Sequence, residues 1–280
     1  MITGSQQTYI EEHAYVPEHI PHYVTAVTQA DPFLFGDFLT YVKKDHLIFV
    51  GYPLKENCDE RQMAKVLDDA IKRFKPRDVA VTGPVIPSSI SESVRPPSDS
   101  YYRLDLSTVS IPPKVRNMLS RAGRELAVKK SRCFDEEHER MVDDFLKVQP
   151  VEEATRFIFK RIMGYISSSN TAWVFDARNE REELVAFDVA EFKPRHYVLY
   201  MFNFSSGGFY VPGASDLLLS EVIKQGKTER KKYVNLGLGI NPGVTFFKKK
   251  WGGVAFLPYA SCLYHPSTKK NLETLLQKLL

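Results

Sequence analysis

Apolar positions recur along this chain with two periods, and the switches between them mark its elements. Met63, Val66, Leu67, Ala70, Ile71 and Phe74 stand three and four residues apart, which predicts an amphipathic helix over 60–75. The runs His46 to Leu54, Asp78 to Gly83 and Tyr101 to Leu106 predict strands. Residues 1–45 are mixed, with Pro17, Pro21 and Pro32 interrupting any long helix. The Ser- and Pro-rich stretch from Pro84 to Ser100 predicts a loop long enough to be a lid.

Helical spacing dominates from Pro113 to Ser168, in three segments. Ala172 to Ala177, Leu184 to Phe192 and His196 to Phe204 read as an antiparallel meander, with a polar turn at Asn179 to Glu182. Ser215 can cap a helix that carries Leu218, Leu219, Val222 and Ile223 on one side. From Tyr233, the apolar residues Val234, Leu236 and Leu238 alternate with Tyr233, Asn235 and Gly237, a charge-free strand pattern. Gly237, Gly239, Asn241, Pro242 and Gly243 form its turn-rich exit. A basic segment, Phe246 to Trp251, follows, then Gly252-Gly253 and the apolar run Val254 to Tyr259.

Strand, helix and strand thus succeed each other twice, with strand starts at His46 and Asp78 and again at Tyr197 and Tyr233. That spacing favours parallel pairs joined by right-handed crossovers. The fold class is α/β (or α+β): two tandem modules, residues 1–110 and 111–280, with mixed central sheets flanked by helices.

Two stretches carry a family resemblance. The strand ending Asn235-Leu-Gly-Leu-Gly239, followed by Phe247-Lys-Lys-Lys-Trp-Gly-Gly253, looks like the C-terminal signature of GNAT-like acyltransferases of the Fem type. These include the aminoacyl-tRNA-dependent Fem transferases and the catalytic domain of phosphatidylglycerol lysyltransferases. Pro113-Lys-Val-Arg-Asn-Met-Leu-Ser-Arg-Ala-Gly-Arg124 is similar to the Lys-x-Arg helix that opens such domains. The resemblance covers residues 110–260 and implies tandem GNAT-like modules, the first degenerate and the second bearing the site. It also implies transfer of an acyl or aminoacyl group from acyl-CoA or aminoacyl-tRNA to an amine acceptor. The donor is then a substrate, and no cofactor is tightly bound.

In such domains the donor lies where two parallel strands splay, at the N-terminus of the helix between them. Here the resemblance places it at Ser205 to Asp216, with Gly207, Gly208, Gly213 and Ser215 as donor-binding candidates. The stretch lacks the Gln/Arg-x-x-Gly-x-Gly/Ala run that acetyl-CoA users place there, and Asp216 sets an anion where a pyrophosphate would lie. This departure moves weight towards aminoacyl-tRNA or another donor, or towards a domain that has lost its donor.

Lys248, Lys249 and Lys250 suit a phosphate, whether of a nucleic-acid backbone, CoA or a phospholipid headgroup, and Phe247 and Trp251 suit stacking on a base. As a plain charge run they would be a solvated helix face. Asp188 interrupts an apolar strand, and alternation puts Glu191 on the opposite face. Aminolysis needs a base, and a carboxylate of raised pKa supplies one, though a satisfied structural carboxylate fits the same pattern. Asn203 and Asn235 stand near the ends of the strands expected to splay and can bond the donor amide or polarise its carbonyl. The catalytic candidates are therefore Asp188, Asn203 and Asn235.

Other chemistries fit poorly. Gly237-x-Gly-x-x-x-Gly243 is one residue longer than a dinucleotide fingerprint and sits at the wrong end of the chain. Pro17 and Pro21 break the spacing that would converge His13, Glu18, His19 and His22 on a metal, so no metal is expected. Neither a Gly-x-Ser-x-Gly elbow nor a Walker loop occurs. The net charge of +4 permits an anionic ligand without arguing for nucleic acid, although tRNA stays open as a partner. No run approaches the about 18 apolar residues of a membrane span. With no signal peptide and three scattered cysteines, Cys58, Cys133 and Cys262, the expected setting is the cytoplasm. The rival reading is a non-catalytic binding or regulatory protein on the same scaffold.

Overall fold

The computed structural model describes residues 1–55, 59–90 and 98–266. Cys58 and the 91–97 part of the expected lid lie outside them.

The N-terminal stretch forms α1 (Gly4–His13), α2 (Pro21–Thr28) and a hairpin of β1 (Asp31–Phe35) and β2 (Phe38–Lys43). Pro21 opens α2 rather than breaking it, because a first-turn residue needs no amide donor. Next come β3 (His46–Val50), α3 (Glu60–Phe74), β4 (Asp78–Gly83) and β5 (Asp99–Asp105). Asp59 caps α3 by accepting the Gln62 amide at 2.7 Å, and Met63, Leu67 and Ala70 bury its inner face.

The stretch expected to be three helices is instead four helices and a strand. α4 (Pro113–Glu125) runs directly into β6 (Leu126–Ser131), followed by α5 (Glu136–Val148), α6 (Glu153–Phe159) and α7 (Ile162–Ser168). β6 is the outermost strand, and its exposed Lys129 and Lys130 obscure its alternation while discouraging edge-to-edge pairing. The meander is β7 (Ala172–Asn179), β8 (Leu184–Glu191) and β9 (Tyr197–Ser205). α8 (Ala214–Thr228) then leads to β10 (Tyr233–Leu238), α9 (Pro242–Lys250) and β11 (Val254–Tyr264).

Among the described residues eleven strands form one mixed sheet, ordered β1-β2-β3-β4-β11-β5-β10-β9-β8-β7-β6. β3 and β4 are parallel with His46 opposite Asp78, and β9 and β10 are parallel with Tyr197 opposite Tyr233. These are the four strand starts read from the sequence. β11 joins the halves: its first part pairs with β5 and its second with β4. β5, from ahead of residue 111, lies between β10 and β11.

α4 and α8 cover one face of the sheet over Leu218, Leu219, Val222, Val234 and Trp251. α5 and α7 cover the other over Tyr165, Phe187 and Phe202. Leu219 is fully buried, and truncating such a residue to Ala costs about 2–5 kcal/mol. This packing fixes the ends of β8, β9 and β10 relative to α8.

Candidate active site

β9 and β10 pair only from Tyr197 to Leu199 and Tyr233 to Asn235, although β9 continues to Ser205 and β10 to Leu238. Gly237, at φ +78°, and a register shift in the β10–β5 pair turn β10 away from its neighbour. A cleft therefore opens between two parallel strands at their carboxyl ends, a usual place for ligands in α/β sheets. The position a Cβ of Gly237 would take lies 3.6 Å from Lys248 Nζ and 3.8 Å from the Tyr200 carbonyl oxygen.

A polar cluster lies on the α8 face of this opening. Asp188 is fully buried, and the exposed Asn203 opposite it donates from Nδ2 to Asp188 Oδ1 at 2.5 Å. Ser215 Oγ donates to Asn203 Oδ1 at 3.1 Å and lies 3.3 Å from Ser205 Oγ. Burial pushes the Asp188 carboxyl up to about 8, against the opposing effect of Asn203. The buried Tyr200 hydroxyl lies close enough to Asp188 to affect both titrations. Yet neither that hydroxyl nor Asp188 Oδ2 completes a hydrogen bond of ordinary geometry among the described residues. The pair thus keeps hydrogen-bonding capacity for a further polar group at this place. Burial, then Asp188, then Asp216 keep the Tyr200 phenol well above its ordinary range.

α9 supplies the other wall. Asn241 caps it, accepting the Val244 amide at 2.9 Å, while Asp99 accepts the Gly239 and Ile240 amides at 3.0 and 2.7 Å and holds the turn ahead of it. The three lysines have different fates. Lys248 is buried and donates to the Leu238 carbonyl, and burial lowers its amine to about 7 while Asp99 opposes the shift. Lys250 bonds Asp216 Oδ2 at 2.8 Å, and Trp251 Nε1 donates to Asp216 Oδ1 at 2.7 Å. Lys249 is exposed and makes no ion pair among the described residues. The run is thus not one solvated face, and Asp216 is neutralised rather than poised to repel a ligand.

The loop ahead of α8 corrects one expectation. Ser215 is not the cap: Gly213 is, at φ +90°, and a side chain there would meet the Met118 carbonyl at 3.1 Å. Gly213 thereby lets α4 close on α8, and Ser215, two residues in, is released to bond Asn203. Gly207 and Gly208 are exposed, with open space beside Gly207. Asn235 is buried and spends both ends of its amide on backbone, donating to the Tyr15 carbonyl at 2.7 Å and accepting from the Gly237 amide at 2.8 Å. It shapes the strand end, and contact with a donor would require breaking those bonds. Tyr200 escaped the sequence reading because a tyrosine in an apolar strand looks like core.

Glu191 faces the other side, accepting from Tyr165 at 2.8 Å and pairing with His22 at 2.9 Å. His19 instead bonds the Tyr52 carbonyl at 2.8 Å, and among the described residues no cluster could hold a metal ion. Two clefts of about 410 and 330 Å³ flank Asp105 at the other end of β10, away from the polar cluster. No described helix is long and apolar enough to cross a membrane.

No protein-family model matches the chain, and no curated protein matches it. Solved structures do. FemX superposes with a TM-score of 0.64 at 11% identity, covering 98% of each chain. L-PGS from Bacillus licheniformis gives 0.60 at 14%, over 94% of this chain and 92% of that one. A tandem GNAT protein from the clavulanic acid biosynthesis pathway gives 0.53 at 10%, over 94% of each. The chain has the GNAT-like fold of the Fem and L-PGS type.

Proposed function

We propose that the protein transfers an acyl or aminoacyl group from an activated donor to an amine in the cleft between β9 and β10. The observation that carries this reading is the buried Asp188 beside the buried Tyr200 hydroxyl, at the point where the strands part. Asp188, with a proton affinity near neutrality, takes the proton of the attacking amine. Asn203 holds its carboxylate, and Ser215 fixes the Asn203 amide. The donor lies along Gly207, Gly208 and the α8 N-terminus, whose amides favour an anion, with Lys249 free to meet a phosphate. Lys248 and Lys250 shape the wall. Residues 1–110 act as the structural module and 111–280 as the site-bearing one. The fold shared with FemX, L-PGS and a tandem GNAT protein supports the reaction class.

Calorimetry and thermal shift with acetyl-CoA, a longer acyl-CoA and aminoacylated tRNA, at two salt concentrations, test this. Saturable binding weakened by Ser215→Ala or Lys249→Glu supports the donor site and identifies the donor. Absence of binding to all three overturns it and leaves a non-catalytic scaffold ahead.

A further inference from the structure

The end of β10 remote from the parted strands carries a basic hollow that acyl transfer does not use. The larger of the two clefts beside Asp105, of about 410 Å³, is lined by Leu106, Lys227, Lys231, Lys232 and Tyr233 as well as by Asp105. It lies where the last turn of α8 passes into β10, whereas Gly237 stands at the opposite end of that strand.

Three lysines thus line the hollow against one acid. Asp105 Oδ1 already accepts the Ser107 amide at 2.8 Å and the Ser107 hydroxyl at 2.6 Å, and it pairs with none of the lysines among the described residues. Lys227 and Lys232 are exposed, and neither side chain makes a hydrogen bond or ion pair among the described residues. The end of α8 does not account for them. Its Gln225, Gly226 and Lys227 carbonyls already accept the amides of Glu229, Lys231 and Arg230, at 2.9, 2.9 and 3.0 Å.

Lys231 makes the hollow a built site. Its side chain is only 9% exposed, and Nζ donates to the Phe192 and Pro194 carbonyls at 2.6 and 2.7 Å. Its ion pair to Glu229 Oε2 is long, at 3.9 Å. Burial lowers its proton affinity, against Glu229 and Glu191, so an anion beside it would return what desolvation removes. Arg103 steadies the Tyr233 wall, with its guanidinium 4.3 Å from the ring centre and Nη1 donating to the Tyr197 hydroxyl at 3.1 Å.

The lining also selects among anions. The volume is that of a small-molecule site. Ammonium groups act as point charges, so several of them suit a phosphate, which gathers its negative charge on one centre. Leu106 and the Tyr233 ring supply apolar wall for an organic body.

We infer that this hollow binds a small phosphate monoester, held by Lys227, Lys231 and Lys232. The site stands on its own lining and survives failure of the acyl-transfer reading.

Calorimetry with AMP and glycerol phosphate tests it, with succinate as the carboxylate control. The protein is the full chain, as wild type, as Lys227→Ala/Lys232→Ala and as Lys249→Ala. All three substituted lysines are exposed, and circular dichroism checks the fold of each variant. The expected result is saturable binding of a monoester by the wild type, weakened about tenfold or more in the double variant and unchanged in Lys249→Ala. Unchanged affinity in the double variant overturns the inference. A loss confined to Lys249→Ala also overturns it, by seating the monoester in the donor cleft. So does a wild type that binds neither monoester, or that binds succinate as tightly.

Discussion

Asp188 and Asn203 face each other across β8 and β9, and the exposed amide closes over the buried carboxyl with a 2.5 Å hydrogen bond. Burial sets the titration, and that pairing only moderates it. Asp188 is protonated in the fold until about pH 8, whereas its unfolded counterpart loses its proton near 3.8. The folded state therefore binds more protons between those values, so Asp188 subtracts stability progressively as pH rises through that window. Asp188→Asn should unfold at a higher temperature than wild type at pH 8.5, with the difference shrinking at pH 5. Thermal melts at both pH values check the sign.

The same substitution should behave oppositely in activity. A base with a proton affinity near 8 gives a transfer rate that climbs with pH and levels off above about 8. Asp188→Asn should lower the rate by about 10²–10⁴-fold and remove that limb. A pH–rate profile on the donor that binds reads both effects, and an unchanged profile would remove Asp188 from the chemistry.

His138 predicts a second pH effect, remote from the cleft. It is buried, with Nδ1 2.8 Å from Asp135 Oδ1 and Nε2 2.9 Å from Asp176 Oδ1, so a carboxylate stands beside each ring nitrogen. Burial alone would lower its proton affinity, but Asp176 and Asp135 outweigh it and hold it above the ordinary value of 6.5. A raised folded pKa gives stability that is complete below 6.5 and lost as pH rises through the folded value. Urea unfolding of wild type should show this loss as pH rises above 6.5. His138→Gln should show a flatter pH dependence and be weaker at pH 6 by about 1.5–3 kcal/mol.

Trp251 holds a buried anion as much as it fills space. Its indole donates to Asp216 Oδ1 at 2.7 Å while Lys250 holds Oδ2. Trp251→Phe should cost about 1–3 kcal/mol by leaving a buried carboxylate oxygen unpaired. Trp251→Phe combined with Asp216→Asn should recover part of that loss, measurable by denaturant titration.

Helix α3, strand β4 and the parallel pairing of β9 with β10 were legible because a single period of apolar residues dictates each. β6 was not, because an edge strand is half solvated and its lysines disguise the alternation. Asp188 and Asn203 could be singled out as polar residues in apolar strands, and the fold brings them together. Lys248 could not be told from Lys249 and Lys250, since adjacent residues of a helix point in directions that only packing distinguishes. Tyr200 drew no attention because its chemistry depends on two carboxylates from other elements, Asp188 and Asp216.

Gly237 sits where the strands part, and its substitution separates the cleft from the core. Its φ of +78° makes Ala cost about 1–2 kcal/mol in backbone strain. The added methyl would not strike the core: its nearest neighbours are Lys248 Nζ at 3.6 Å and the Tyr200 carbonyl at 3.8 Å, ordinary contact distances. It would, however, stand in the mouth between β9 and β10. Gly237→Ala should therefore remain folded and weaken donor binding more than tenfold. Val222→Ala, on the buried face of α8 and away from the mouth, should cost similar or greater stability with donor affinity unchanged. Paired thermal melts and calorimetry on the two variants decide the matter. Equal donor affinity in both would place the donor elsewhere than between these strands.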